Sequence, residues 1–132
     1  MKLNDIKIGF LPAAAELYIR IFGDDFRDQV RLFAKQAAEK LKFQNAVFEI
    51  AETVTTEDET RRQVEILCRH DIDLLVVVLG PYCASGVLSL ALIQFGGPLL
   101  LWPAQTIYEL APNTCSDKQI MLSHGVHAVQ DI

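Results

Sequence analysis

Short apolar runs alternate with helical segments along this chain. Each apolar run ends at a proline, a glycine or a polar cluster, which is typical of strands buried in a parallel sheet. The sequence predicts four strands of this kind, at residues 6–12, 46–52, 73–80 and 98–102. Between them it predicts three helices, at residues 24–41, 55–70 and 82–95.

The first two helices carry the clearest patterns. In residues 24–41 one stripe is apolar and the opposite face is charged. The stripe comprises Phe26, Val30, Phe33, Ala34, Ala37 and Leu41, and the charged face comprises Arg27, Arg31, Lys35 and Glu39. In the segment "TTEDETRRQVEILCRH", Thr56 is the predicted N-cap and Glu59, three residues later, would complete a capping box.

Strict alternation of strand and helix predicts an open, doubly wound parallel sheet with helices on both faces, and we expect flavodoxin-like topology in a single domain over residues 1–132. Residues 103–122 form the one long connection. A last helix should begin near Ser123 and bury three apolar side chains, those of Val126, Val129 and Ile132. Only about ten residues remain for it, so we expect the chain to be a fragment of a longer protein.

Composition and charge argue against several classes of function. The net charge is -5 and no basic run is interleaved with aromatic residues, which argues against nucleic-acid binding. Three widely spaced cysteines predict neither a disulfide framework nor a zinc site, and indicate a reducing, cytoplasmic setting. No charged residue occurs between Leu74 and Tyr108, but Gly80-Pro81 and Gly96-Gly97-Pro98 divide this stretch into pieces too short to span a membrane.

Ligands of open α/β sheets bind at the carboxyl ends of the strands, and this rule selects the candidate residues. The loops there lack the glycine pattern of a phosphate cradle. Cys83 is a candidate nucleophile, or a small residue packed at a helix start. Glu16 is a candidate catalytic carboxylate, or a solvated charge at a helix start.

Two histidines, His124 and His127, lie three apart at the start of the last predicted helix. They are open to three interpretations: a metal-chelating pair, a surface pair without a role, or hydrogen-bond donors to a polar, uncharged ligand such as a sugar. In the third interpretation Gln105 and Tyr18 would serve equally well.

Three segments resemble the N-terminal domain of the L-arabinose isomerases and, more distantly, the wider L-fucose/L-arabinose isomerase group. In "FLPAAAELY" Leu17 and Tyr18 match the family's first loop, while Ala15 stands where the family has glutamine. In "PLLLWPAQ" Gln105 matches a glutamine that contacts substrate, and in "MLSHGVHAV" His127 falls on the family histidine.

The resemblance implies an aldose–ketose isomerase that uses a divalent cation, usually Mn²⁺, and carboxylates that move a proton through an enediol. In the family the metal ligands and catalytic groups belong to later domains, and this domain of one subunit closes the active site of its neighbour in a homo-oligomer. Leu17, Tyr18, Gln105 and His127 would then bind the sugar, with Glu16 and Tyr82 as further contacts. The alternative is a stand-alone sugar-binding or regulatory module without catalysis.

Overall fold

A computed structural model of the chain describes residues 5–41, 45–107, 109, 111–113 and 115–132. Four strands form one parallel sheet: β1 (Ile6–Pro12), β2 (Ala46–Ile50), β3 (Leu74–Leu79) and β4 (Leu99–Pro103). Their order in the sheet is β2-β1-β3-β4. Six helices accompany them: α1 (Glu16–Phe22), α2 (Asp24–Lys40), α3 (Glu57–Arg69), α4 (Ser85–Phe95), α5 (Asp117–Met121) and α6 (Gly125–Asp131). The predicted α/β class, a flavodoxin-like parallel sheet with helices, is confirmed.

Side-chain alternation along the strands divides the core between the two faces of the sheet. On one face, α2 packs its alanines onto Phe10 and Val76. On the other face, α3 and α4 cover Leu75, Val77 and Leu79. Helices therefore cover both faces, as a doubly wound sheet requires. Across the described residues, no helix is long and apolar enough to cross a membrane.

The two outer strands are less buried than their sequences predict. Apart from its first residues, β1 is buried, and β3 is buried beyond Leu74, whereas β2 and β4 are mostly half-buried or exposed. In β4, Leu99 is 41% exposed and Leu100 is 49% exposed. The prediction of uniformly buried strands is wrong here because an edge strand has a neighbour on one side only.

Helix α2 buries most of the apolar stripe that the sequence predicts. The exception is Leu41, which is exposed because it caps the helix, and Ala38 is buried instead. The predicted charged face is also not uniformly solvated. Arg27 and Arg31 reach across to the loop after β2, where they donate hydrogen bonds to backbone carbonyls.

The N-cap of α3 is confirmed, and its capping box differs in one detail. The Glu59 amide donates to the Thr56 hydroxyl at 3.2 Å. The Glu59 carboxylate accepts from the Thr55 amide, at 2.7 Å, rather than from that of Thr56. The box therefore closes one residue earlier, and it includes the buried Thr55 side chain.

Helix α5 was not predicted, α1 was anticipated only as a helix start at Glu16, and the last helix of the chain is placed differently. Helix α1 is separated from α2 by Gly23, whose φ of 83° favours glycine, and α5 lies within the long connection. Helix α6 begins at Gly125 with His124, not Ser123, as its N-cap.

The predicted buried face of α6 is also wrong in part. Val126 is 50% exposed and Ile132 is 38% exposed, whereas Ala128 is completely buried. A Cβ at Gly125 would overlap the backbone carbonyl of Leu79, so α6 lies directly against the end of β3. At this approach the small residues Gly125 and Ala128 are buried on the inner side, and Val126 faces outward. The prediction for Val129 holds in part, because it packs partly buried against the main apolar cluster.

Candidate functional site

Backbone hydrogen bonds tie together the loops at the carboxyl edge of the sheet. The Ala15 amide, before α1, donates to the Tyr82 carbonyl at 2.8 Å, and the Ala104 amide, after β4, donates to the Leu79 carbonyl at 3.0 Å. The start of α6 rests on the end of β3 through Gly125. The loops that carry all the predicted site residues therefore share one edge, as the parallel topology requires.

Tyr18 lies in the middle of α1 and is half-buried. Its ring packs against Phe26 of α2 with the centroids 5.6 Å apart, in an apolar cluster that also contains Leu122, just before α6. Burial raises the pKa of the Tyr18 phenol, so the hydroxyl stays protonated at neutral pH and can donate a hydrogen bond.

The other predicted residues of this loop face solvent. Leu17 is exposed, and the Glu16 carboxylate forms an exposed ion pair with Arg20, one turn later, at 3.2 Å. This arrangement fits a solvated charge at a helix start better than a catalytic carboxylate. Their proposed contact with a sugar stays a prediction.

The segments that carry Gln105 and His127 are joined by a side-chain contact. The hydroxyl oxygens of Thr106 and Ser123 lie 3.3 Å apart, within hydrogen-bonding distance. Gln105 directly precedes Thr106 in the chain and His127 follows Ser123 by four residues, and both are exposed. Neither Thr106 nor Ser123 was predicted as a site residue, because an isolated hydroxyl in a long loop carries no distinctive spacing.

The two histidines of the last segment lie close together. The ring centroids of His124 and His127 are 5.6 Å apart and their planes are inclined at 70°. Catalytic metal sites use three protein ligands. Among the described residues, no group of three His, Cys, Asp or Glu side chains is placed to hold a metal ion.

Cys83 is enclosed at the start of α4. Its side chain is completely buried in the main apolar cluster, and burial raises the pKa of the thiol to about 12. A thiol with this pKa is not a nucleophile near neutral pH. The packing interpretation therefore holds, and neighbouring Tyr82 is half-buried against the same cluster.

A polar network at the end of β2 was not predicted from the sequence. Arg27 donates to the Thr53 carbonyl at 2.9 Å and lies 3.3 Å from a carboxylate oxygen of Glu59. The sequence does place Arg27 and Arg31 four residues apart on one helix, beside buried positions. However, the pattern does not show which loop they reach.

A groove of about 250 Å³ lies elsewhere, between α3 and α4. It contains none of the predicted site residues. Its walls are formed by Arg61, Val64, Glu65, Cys68, Arg69, Ala91, Gln94 and Phe95.

Compared with known proteins, the chain matches no family model, and no curated protein shows significant similarity to it.

Proposed function

We propose that the carboxyl edge of this sheet recognises a neutral, polyhydroxylated small molecule, an aldose or a ketose. In this proposal the chain is the substrate-recognition, N-terminal domain of a cytoplasmic sugar isomerase of the L-arabinose/L-fucose type. The observation that supports it most directly is the contact between Thr106 and Ser123, because it joins the loop of Gln105 to the segment of His127.

The chemistry of the edge favours an uncharged ligand. Its candidate contacts are the protonated phenol of Tyr18, the amide of Gln105, the imidazole of His127 and the hydroxyls of Thr106 and Ser123. Each can donate a hydrogen bond and most can also accept one, as sugar hydroxyls require. The Glu16 carboxylate is paired with Arg20, which leaves no free carboxylate among the proposed contacts.

The residues of this edge do not fit a Mn²⁺ site. In the described part of the chain the only paired imidazoles are those of His124 and His127, and no carboxylate joins them. Mn²⁺ prefers oxygen ligands. We therefore assign this chain the binding and orientation of the sugar, and propose that metal and proton-transfer groups come from outside it, with a neighbouring subunit completing the site.

Titration of the 132-residue chain with L-arabinose, L-fucose and their ketoses, followed by amide chemical shifts, tests the proposal. We expect saturable shifts around Gln105 and His127. Since one lost neutral hydrogen bond costs about 1 kcal/mol, His127→Ala and Gln105→Ala should each weaken binding about threefold to tenfold. The matched control is His70→Ala. His70 is the C-cap of α3, at the end of this helix that lies away from the carboxyl edge of the sheet, so its removal should leave the affinity unchanged.

Several results would count against recognition at this edge. They are the absence of saturable binding to any of these sugars, equal effects of His70→Ala and His127→Ala, and shifts confined to the groove between α3 and α4. Ketose formation by this chain in the presence of Mn²⁺ would overturn the separation of binding from chemistry. If the full-length gene product binds sugar without converting it, the regulatory-module alternative is favoured.

A further inference from the structure

The groove between α3 and α4 combines an apolar floor with charged walls. Val64 of α3 and Ala91 of α4 are buried at its base, and Phe95 is partly buried against the same apolar cluster. Its volume of about 250 Å³ is below the roughly 300–1,000 Å³ of pockets that hold drug-sized ligands. The groove therefore has room for a small molecule only.

The charged wall of the groove belongs to α3. Arg61, Glu65 and Arg69 follow one another at intervals of four residues, so they form one row along this helix. Arg61 is already paired, with Asp58 at 3.0 Å and with Glu65 at 3.8 Å. Arg69 differs, because no carboxylate in the described part of the chain lies within ion-pair distance of it. The groove therefore presents one guanidinium that is free to pair with an anion.

The charges of the lining indicate the class of ligand. Two guanidinium groups and one carboxylate leave the groove with one net positive charge, in a chain whose net charge is -5. A monocarboxylate supplies the one negative charge that balances it, and its two oxygens match the paired donors of a guanidinium. A phosphate monoester carries about two negative charges at neutral pH, so one of them would face the Glu65 carboxylate without compensation.

We propose that this groove binds a small organic monocarboxylate with an apolar body. The carboxylate pairs with Arg69 and accepts a hydrogen bond from the amide of Gln94, which lines the groove from α4. The apolar body covers Val64, Ala91 and Phe95, and its burial adds to the affinity. None of these residues is among the proposed sugar contacts, so this proposal and sugar recognition can fail independently.

Cys68 reports whether the groove is occupied. It lines the groove one turn after Val64, directly before Arg69, and it is exposed. Cys115 is partly exposed and lies outside the groove. A bound ligand should therefore slow the alkylation of Cys68 by iodoacetamide and leave the rate at Cys115 unchanged, which makes Cys115 an internal control.

Titration with benzoate tests the site, since benzoate joins one carboxylate to a flat apolar ring. At constant ionic strength we expect saturable amide chemical shifts in α3 and α4, with a dissociation constant in the millimolar range for a ligand of about ten atoms. Saturation should slow the alkylation of Cys68 about threefold or more, as steric cover of the thiol requires. Benzamide lacks the charge and acetate lacks the body, so each should bind about fivefold more weakly.

Substitution of the free guanidinium tests its role. Arg69→Gln keeps an amide donor but removes the charge, so it should weaken benzoate binding about fivefold to tenfold and leave benzamide binding unchanged. The matched control is Arg62→Gln. Arg62 carries the same charge on the same helix, but it lies outside the groove and donates to the Asp58 carbonyl at 3.3 Å. Circular dichroism verifies that both variants fold.

The outcomes separate a carboxylate site from other uses of the groove. Protection of Cys68 by benzoate that is lost in Arg69→Gln and kept in Arg62→Gln supports the proposal. Equal affinity for benzoate and benzamide, or equal losses in the two variants, overturns the pairing with Arg69. No saturable shift up to about 50 mM benzoate overturns the site itself. A Cys68 thiol that resists alkylation without ligand also overturns it, because another polypeptide then covers the groove.

Discussion

Arg27 and Thr53 bind each other reciprocally. The Arg27 guanidinium donates to the Thr53 carbonyl at 2.9 Å, and the Thr53 hydroxyl donates back to the Arg27 carbonyl, also at 2.9 Å. Thr53 is almost completely buried. The pair ties α2 to the loop after β2, so this helix and the end of the strand that follows it in the sequence are held together at the carboxyl edge of the sheet.

Removal of the Arg27 side chain should destabilise the fold. In Arg27→Ala the buried Thr53 carbonyl and the Glu59 carboxylate both lose a donor, which should cost about 2–3 kcal/mol of unfolding free energy. Urea unfolding followed by circular dichroism measures it. The control is Arg20→Ala, whose ion pair with Glu16 is exposed and should contribute less than about 1 kcal/mol. Equal losses for the two variants would contradict the role assigned to Arg27.

The loss of unfolding free energy at acid pH should depend on Glu59. Burial alone would raise the pKa of this carboxyl, but hydrogen bonds from Thr55 and the nearby Arg27 guanidinium outweigh burial and lower it. A lowered folded-state pKa contributes stability above the unfolded carboxyl value of about 4.3, and this stability is lost as the pH falls through the folded value.

Glu59→Gln should therefore be less stable than the wild type at about pH 7, and the difference should shrink as the pH falls from about 5 to 3. Urea unfolding at a series of pH values measures the difference. Glu65→Gln serves as the control, because the ion pair of Glu65 with Arg61, at 3.8 Å, is exposed on both sides. A Glu59→Gln deficit that is constant with pH would show that the carboxylate charge is not responsible.

Two glycine-to-alanine substitutions should act in opposite directions. At Gly125 an added Cβ would overlap the Leu79 carbonyl, so Gly125→Ala should cost about 1–3 kcal/mol or release α6 from β3. At Gly86, in the first turn of α4, a Cβ meets nothing within 4 Å, so Gly86→Ala should stabilise by up to about 1 kcal/mol. Thermal unfolding and hydrogen exchange of the α6 amides distinguish these results. An unchanged Gly125→Ala protein would disprove the close contact.

The three cysteines should differ in reactivity. Cys83 is buried with a pKa of about 12, whereas Cys68 is exposed and Cys115 is partly exposed. Iodoacetamide at about pH 8 should therefore modify Cys68 and Cys115 in the native protein, and Cys83 only after denaturation. Mass spectrometry of the peptides counts the labels. Rapid labelling of native Cys83 would restore it as a candidate nucleophile.

Local patterns were sufficient where one residue type has one physical use. The four strands were recognised because short apolar runs that end at a proline, a glycine or a polar cluster are typical of strands in a parallel sheet. Thr56 was recognised because its hydroxyl, three residues before Glu59, satisfies an amide within its own turn. The sharing of one edge by Tyr18, Tyr82, Gln105 and His127 followed from the topology alone.

The remaining features depend on which parts of the chain meet. Arg27 looks like a solvated charge until the loop after β2 lies beside it, and Val126 looks like a core residue until Gly125 brings α6 against β3. The sequence by itself determined the order of the four strands and of the helices α2, α3 and α4 between them, and the edge at which their loops converge. Both arise from local periodicity and from the handedness of parallel crossovers. Only the tertiary structure decided which polar groups are paired and which apolar ones stay exposed, because these depend on contacts between residues far apart in the chain.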